Sequence, residues 1–128
     1  DDGQVAPLSV RGVEGRLVQV FRNLIANASS FSPAGGTITL AARAENGTVV
    51  ATVEDEGPGI PEGSEVAIFE RFYSARPEGE KFGIHSGLGL SISRQIVVAH
   101  GGTIRAENRR DDSGRILGAR FVVTLPAA

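Results

Sequence analysis

Residues 16–33 read RLVQVFRNLIANASSFSP, and this stretch carries two stripes at once. Leu17, Val20, Phe21, Leu24, Ile25 and Ala28 recur at i, i+3, i+4, i+7, i+8 and i+11, which places them on one face of a helix. Gln19, Asn23 and Asn27 fall at i, i+4 and i+8 and form a second stripe of uncharged amides. The expected helix spans residues 13–30 and is stopped by Ser32-Pro33 and Gly35-Gly36. Amide oxygens ligate a hard cation such as Mg²⁺, which keeps waters and phosphate oxygens as its other ligands. The plain alternative is a solvated polar face.

Upstream of the helix, Val5, Leu8 and Val10 suggest a short strand. Downstream, Ile38, Leu40 and Ala42 alternate as in a half-buried strand, and Asn46-Gly47 predicts a tight hairpin because both central residues of that turn need positive φ. Val49, Ala51 and Val53 return and end at Glu54-Asp55. Residues 56–87 read mostly as loop, with a short helical piece over residues 66–72. A second helix is expected over residues 88–100, terminated by Gly101-Gly102. Two strands close the chain, over residues 103–108 and 119–125, joined by a solvated charged loop over residues 109–115. The pattern predicts an α/β (α+β) two-layer sandwich: a mixed sheet covered by helices on one face.

At 128 residues the chain fits one domain, and its 41% hydrophobic content is enough for a core. With no cysteine, disulfides and thiolate metal sites are excluded. The net charge of −2 leaves no basic footprint, and no nucleic-acid partner is expected. No apolar run reaches the length of a membrane span. The absence of methionine, even at position 1, suggests a fragment of a longer protein.

Two further motifs carry chemistry. Asp55-Glu56-Gly57-Pro58-Gly59 follows a strand end, where a carboxylate could accept from an exocyclic amine such as that of adenine and glycines admit a flat ligand. Taken alone it is also a common acidic turn. His85-Ser86-Gly87-Leu88-Gly89-Leu90 runs into the second helix, where free N–H groups and the helix dipole favour a phosphate. Its plain alternative is a flexible loop with a cap.

The order of these motifs resembles the catalytic domain of sensor histidine kinases, in the superfamily that includes gyrase, mismatch-repair and chaperone ATPases. RLVQVFRNLIANASSFSP looks like the N box, DEGPGIP (residues 55–61) the first glycine box, and IFERFY (68–73) the phenylalanine box. HSGLGLSISRQIV (85–97) with the later HGG looks like the second glycine box, and GARFVVTLP (118–126) the closing strand. The resemblance covers nearly the whole chain and implies a Bergerat-type ATP-binding fold over residues 1–128. It implies that Asn27 ligates Mg²⁺, with Asn23 a second amide near the metal and phosphates, and that both serve catalysis. It also implies that Asp55 binds the adenine amine while Gly57, Gly59 and Ile60 line the nucleotide. Ser86, Gly87, Leu88, Gly89 and Leu90 would meet the phosphates, and Phe69 and Phe72 would anchor a lid over residues 74–87. The lid looks most like that of alphaproteobacterial envelope-sensing kinases.

The chain departs from the family pattern in places. Ser30 and Phe31 stand where a cation and Tyr are common, Ser74 stands where Arg is common, and His85 replaces a glycine. Arg76 or Lys81 would then supply the phosphate contact, the alternative for each being an ordinary solvated lid charge. Neither His85 nor His100 has the setting of a phospho-acceptor; His100 reads as a helix C-terminal cap. The function implied is donation of the γ-phosphoryl group of ATP to a histidine on a separate dimerisation domain, with a response regulator downstream. The full-length protein is expected to be a membrane-anchored homodimer with this part in the cytoplasm. The alternatives weighed are a gyrase- or chaperone-type ATPase, a serine-kinase anti-sigma factor and a non-enzymatic nucleotide or partner module. The ATPases place a glutamate where this chain has Asn23, and so activate water.

Overall fold

The computed structural model describes residues 9–70 and 89–128. Helix α1 spans Glu14–Phe31 and buries Val20, Leu24, Asn27 and Ala28, with Leu17 and Phe21 packed partly beside them. It stops at Ser32, whose extended backbone (ψ 147°) is the conformation that a following proline imposes. Strands β1 (Thr39–Glu45) and β2 (Thr48–Glu54) form the expected hairpin, with Asn46 at φ 52° and Gly47 at φ 81°. A single 3₁₀ turn, Ala67–Phe69, stands where the short helical piece was expected. Helix α2 spans Gly89–Ala99, and β3 (Thr103–Arg110) and β4 (Ile116–Pro126) close the chain.

The sheet order is β1-β2-β4-β3, and every pairing among these strands is antiparallel, which corrects the expected mixed sheet. The connection through α2 does return β3 in the same direction as β2. However, β4 folds back from β3 and inserts between the two, so no parallel neighbours arise. Both helices lie on one face, over Val53, Ala106, Phe121, Val123 and Leu125. Phe69 meets Phe121 edge to face at 6.1 Å and ties the 3₁₀ turn to the centre of the sheet.

Two further expectations change. β1 is exposed along its whole length, with Leu40 53% exposed, as the edge strand of the sheet. The solvated loop expected over residues 109–115 shrinks, since β3 and β4 extend to Arg110 and back to Ile116. Only the turn around Asp111 remains, where Asp111 Oδ1 accepts from the Ser113 and Arg115 amides.

The helix stop at Gly101-Gly102 is a six-to-one closure: Gly102 N–H donates to Val97 O at 2.9 Å and Gly101 N–H to Val98 O at 3.0 Å. Gly101 takes φ 80°, which suits glycine. His100 caps this end as expected, through a 2.8 Å contact between Nδ1 and Ile96 O. It also reaches the other helix, because Nε2 accepts from the Val13 N–H at 3.1 Å. Val13 precedes α1 and has no side-chain cap of its own. Val10 forms an isolated bridge to Ala127, whereas Val5 and Leu8 lie outside the described residues. Among the described residues no helix is long and apolar enough to cross a membrane.

Candidate nucleotide site

β2 delivers Asp55 to the rim of the sheet, where it is only 3% exposed. Its Oδ1 accepts from the Gly57 N–H at 2.9 Å and from the Ala119 N–H at 3.0 Å. Its own N–H donates to Ala119 O at 3.0 Å, and its carbonyl accepts from Arg109 Nη1 at 2.6 Å. Oδ2 has no hydrogen bond to any described residue. β4 approaches so closely that a Cβ on Gly118 would fall 1.9 Å from the Asp55 carbonyl oxygen, which only glycine permits. Among the described residues, the carboxylate is thus held through Oδ1 alone.

The following loop is held from two sides. A Cβ on Gly57 would lie 2.6 Å from Phe31 O, so the first glycine box packs directly on the last turn of α1. On the far side Asn108 grips Ile60 with both ends of its amide: Ile60 N–H donates to Oδ1 at 2.6 Å and Nδ2 donates to Ile60 O at 3.0 Å. Gly59, at φ 87°, lets the chain turn against that side chain. Ile60 itself is 2% exposed and belongs to the core.

The amide stripe of α1 divides. Asn27 is 1% exposed, and neither its oxygen nor its nitrogen has a hydrogen-bond partner among the described residues. It is therefore no solvated polar residue. Asn23 instead donates from Nδ2 to Gly89 O and to Ser93 Oγ, both at 3.2 Å. Gly89 O can only accept, which fixes the amide orientation. Asn23 therefore pins α2 against α1 at Gly89 and Ser93. Gly89 and Leu90, the first described residues of α2, are buried. Ser86, Gly87, Leu88, Arg76, Lys81, Phe72 and His85 lie outside the described residues, as does the expected lid.

Sequence reasoning missed Asn108, Arg109 and Gly118. The first two were absorbed into a strand end and a charged loop. Behind Asp55, on the open face of the sheet, Glu54 accepts from Arg120 at 2.7 Å, and Arg120 also reaches Glu107 at 2.7 Å. Arg109 Nε lies 3.4 Å from Glu54, and Arg105 pairs with Glu107. The hydrogen bond from Arg120, then that from Arg105, holds the Glu107 carboxyl below its ordinary range against some desolvation. Hydrogen bonds to Glu107 and Glu54 raise Arg120 in turn. This ladder anchors the arginine that holds the Asp55 carbonyl. Among the described residues no three acidic or histidine side chains converge into a metal cage. A cavity of about 670 Å³ between the 3₁₀ turn and α2, lined by Phe69, Ser91, Arg94 and Val98 among others, includes none of Asn23, Asn27 or Asp55.

The family model described as histidine kinase-, DNA gyrase B- and HSP90-like ATPase matches residues 12–128. The sensor protein ChvG of Rhizobium meliloti (strain 1021) is 54% identical over 98% of this chain and 22% of its own length. Among solved structures, the mycobacterial sensor histidine kinase MprB superposes with TM-score 0.79 at 32% identity, covering 92% of this chain and 74% of that one. Full-length ShkA in complex with AMPPNP gives TM-score 0.77 at 30% identity, covering 95% of this chain and 24% of that one.

Proposed function

The chain belongs to the family of histidine kinase-, DNA gyrase B- and HSP90-like ATPases, and from that premise we propose that it donates the γ-phosphoryl group of Mg-ATP to a histidine on a separate dimerisation domain. Its relatives are sensor histidine kinases, and it is an ATP-binding domain of that kind. The chain spans only about a fifth of the length of the curated relatives it matches, namely 22% of the first. Residues 1–128 then form the catalytic domain of a longer sensor kinase, on the cytoplasmic side of a membrane-anchored homodimer that serves a response regulator.

The observation that carries this reading is Asn27. A buried amide with no partner costs about 1–3 kcal/mol, which a bound ligand can recover. Its oxygen suits Mg²⁺, which keeps waters and phosphate oxygens as its remaining ligands. When bound, Mg²⁺ neutralises charge on the triphosphate. Asp55 Oδ2 would accept from the adenine amine, and the backbone of Gly57, Gly59 and Ile60 would line the base. Gly89 and Leu90, with Ser86, Gly87, Leu88 and one of Arg76 or Lys81, would bind the phosphates, as the glycine-rich sequence before α2 suggests.

Asn23 acts here as a positioning residue, since its amide nitrogen binds Gly89 O and Ser93 Oγ. An amide is no general base, so water gains no help in attacking the γ-phosphorus. The phosphorus is left for an incoming imidazole nitrogen, with ADP leaving on the electron pair of the broken P–O bond. This disfavours the water-activating ATPase alternative. Two measurements test the reading. Calorimetry should find Mg-ADP and Mg-ATP binding to the folded chain. Radiolabelled ATP should label a supplied histidine-bearing domain of the parent kinase but not this chain alone. Label on this chain alone, or rapid phosphate release, overturns it.

A further inference from the structure

Asn108 lies on β3, 48 residues in sequence from Ile60, yet it is hydrogen-bonded into the first glycine box. We propose that Asn108 is a positioning residue for adenine recognition, acting by fixing the peptide of Ile60 and through it the loop from Asp55 to Gly59. The inference rests on the nucleotide-site reading above and adds a residue to it.

The geometry is specific to an asparagine. Ile60 presents a donor and an acceptor, and Asn108 answers both, at 2.6 Å and 3.0 Å. Aspartate could accept from the N–H but would set an oxygen against Ile60 O. Alanine would answer neither. The contact is also close: a Cβ on Gly59 would meet Asn108 Oδ1 at 2.6 Å and Ile116 Cγ2 at 2.7 Å, so the loop lies directly against β3 and the start of β4. The same strand sends Arg109 to the Asp55 carbonyl, and β4 sends the Ala119 N–H to Asp55 Oδ1. Adjacent residues of β3 therefore hold the two ends of one short loop: Arg109 holds its start at Asp55, and Asn108 its end at Ile60. Between them lie Glu56, which accepts at Oε1 from the Thr37 N–H at 3.1 Å, and the glycines. Thr37 is exposed, so the Ile60 clamp is the better shielded of these loop contacts.

With that clamp gone, Asp55 keeps its own bonds but the wall beside the base is free to shift. A carboxylate that recognises an amine by direction loses selectivity when the opposite wall moves. The effect should therefore fall on adenine discrimination more than on phosphate binding.

The test titrates the whole chain with Mg-ADP and Mg-GDP by calorimetry, in the wild type, Asn108→Ala, Asn108→Asp and Asp55→Asn. Titrations are made well below each variant's thermal midpoint, with circular dichroism confirming the fold. Both Asn108 variants should bind Mg-ADP roughly tenfold more weakly, the scale expected for losing a hydrogen-bond pair, with a lower preference for ADP over GDP. A purely structural role would lower the thermal midpoint and leave affinity and preference unchanged, and that result overturns the inference. If the wild type binds and Asp55→Asn loses binding while the Asn108 variants do not, the site reading stands and only Asn108 is wrong. If the wild type fails to bind, both fall.

Discussion

The two ends of the site are built in opposite ways. At the β2 end, Asp55 is buried and held by a carboxylate oxygen, an amide and a carbonyl, all bonded to β3, β4 or its own loop. At the α1 end, Asn27 is equally buried and neither amide atom has a hydrogen-bond partner among the described residues. A satisfied polar group is rigid and recognises by direction. An orphaned one stores a desolvation penalty that a ligand relieves. The first arrangement suits a base with a fixed donor pattern. The second suits an ion whose other ligands arrive with the substrate.

The largest expected effect breaks the orphaned end. Asn27→Ala should lower transfer to a supplied histidine-bearing domain by about a hundredfold or more, the scale found when one transition-state stabiliser is removed. Without nucleotide its thermal midpoint should hold or rise, since an unpaired buried amide is removed. A variant that transfers at the wild-type rate would place the metal elsewhere.

At the other end, Asp55→Asn should weaken Mg-ADP binding by roughly tenfold or more, through loss of a charge-assisted hydrogen bond. Its remaining oxygen can still accept from Gly57 and Ala119, so stability should change little. Asp55→Ala removes both acceptances and should cost about 1–3 kcal/mol besides. Urea titrations of Asn27→Ala and Asp55→Ala test the contrast directly. If both fall equally, the difference in satisfaction has no energetic meaning.

What sequence could and could not reveal follows from range. α1 was legible because its apolar spacing and Pro33 are local signals, as were Asn46-Gly47 and Gly101-Gly102. Sheet order was not, since the insertion of β4 depends on pairings such as Val53 with Phe121. An alternating Ile38, Leu40, Ala42 reads the same on an edge strand as on a covered one. Within the site, Asp55 and the glycines were visible as a motif, whereas Asn108 and Arg109 act on partners 48 and 54 residues away. Helical spacing gave Asn23 and Asn27 one face. It could not say that α2 would meet Asn23 and leave the Asn27 amide without a hydrogen bond to any described residue.

His100 offers an intermediate case, a polar contact between elements at half-burial. Its ring satisfies Ile96 O on α2 and the Val13 N–H before α1. His100→Ala should cost about 1 kcal/mol, in the range of a lost helix cap, and should speed amide exchange at the start of α1. Nucleotide affinity should be untouched. Unchanged exchange there would mean that the ring does not cap α1 in solution.

The smallest effect concerns the open face of the sheet, where satisfaction comes without full burial. Glu107 binds Arg120 and Arg105, but its side chain is 35% exposed and solvent screens the pair. Its carboxyl is held below the ordinary range in the folded chain. A depressed carboxyl stabilises the fold above its unfolded-state titration, and that contribution fades as pH falls through the folded one. Glu107→Gln should therefore cost less than about 1 kcal/mol near neutrality. Its thermal midpoint should also decline less steeply than the wild type's as the medium is acidified below the usual carboxylate range. The two curves should converge at the acid end, where Glu107 is protonated in both states and resembles glutamine. Parallel curves with a constant gap would mean that packing of the side chain, not its charge, is what the ladder contributes. The hold of Arg109 on Asp55 would then rest on its own 2.6 Å bond and not on the charges behind it.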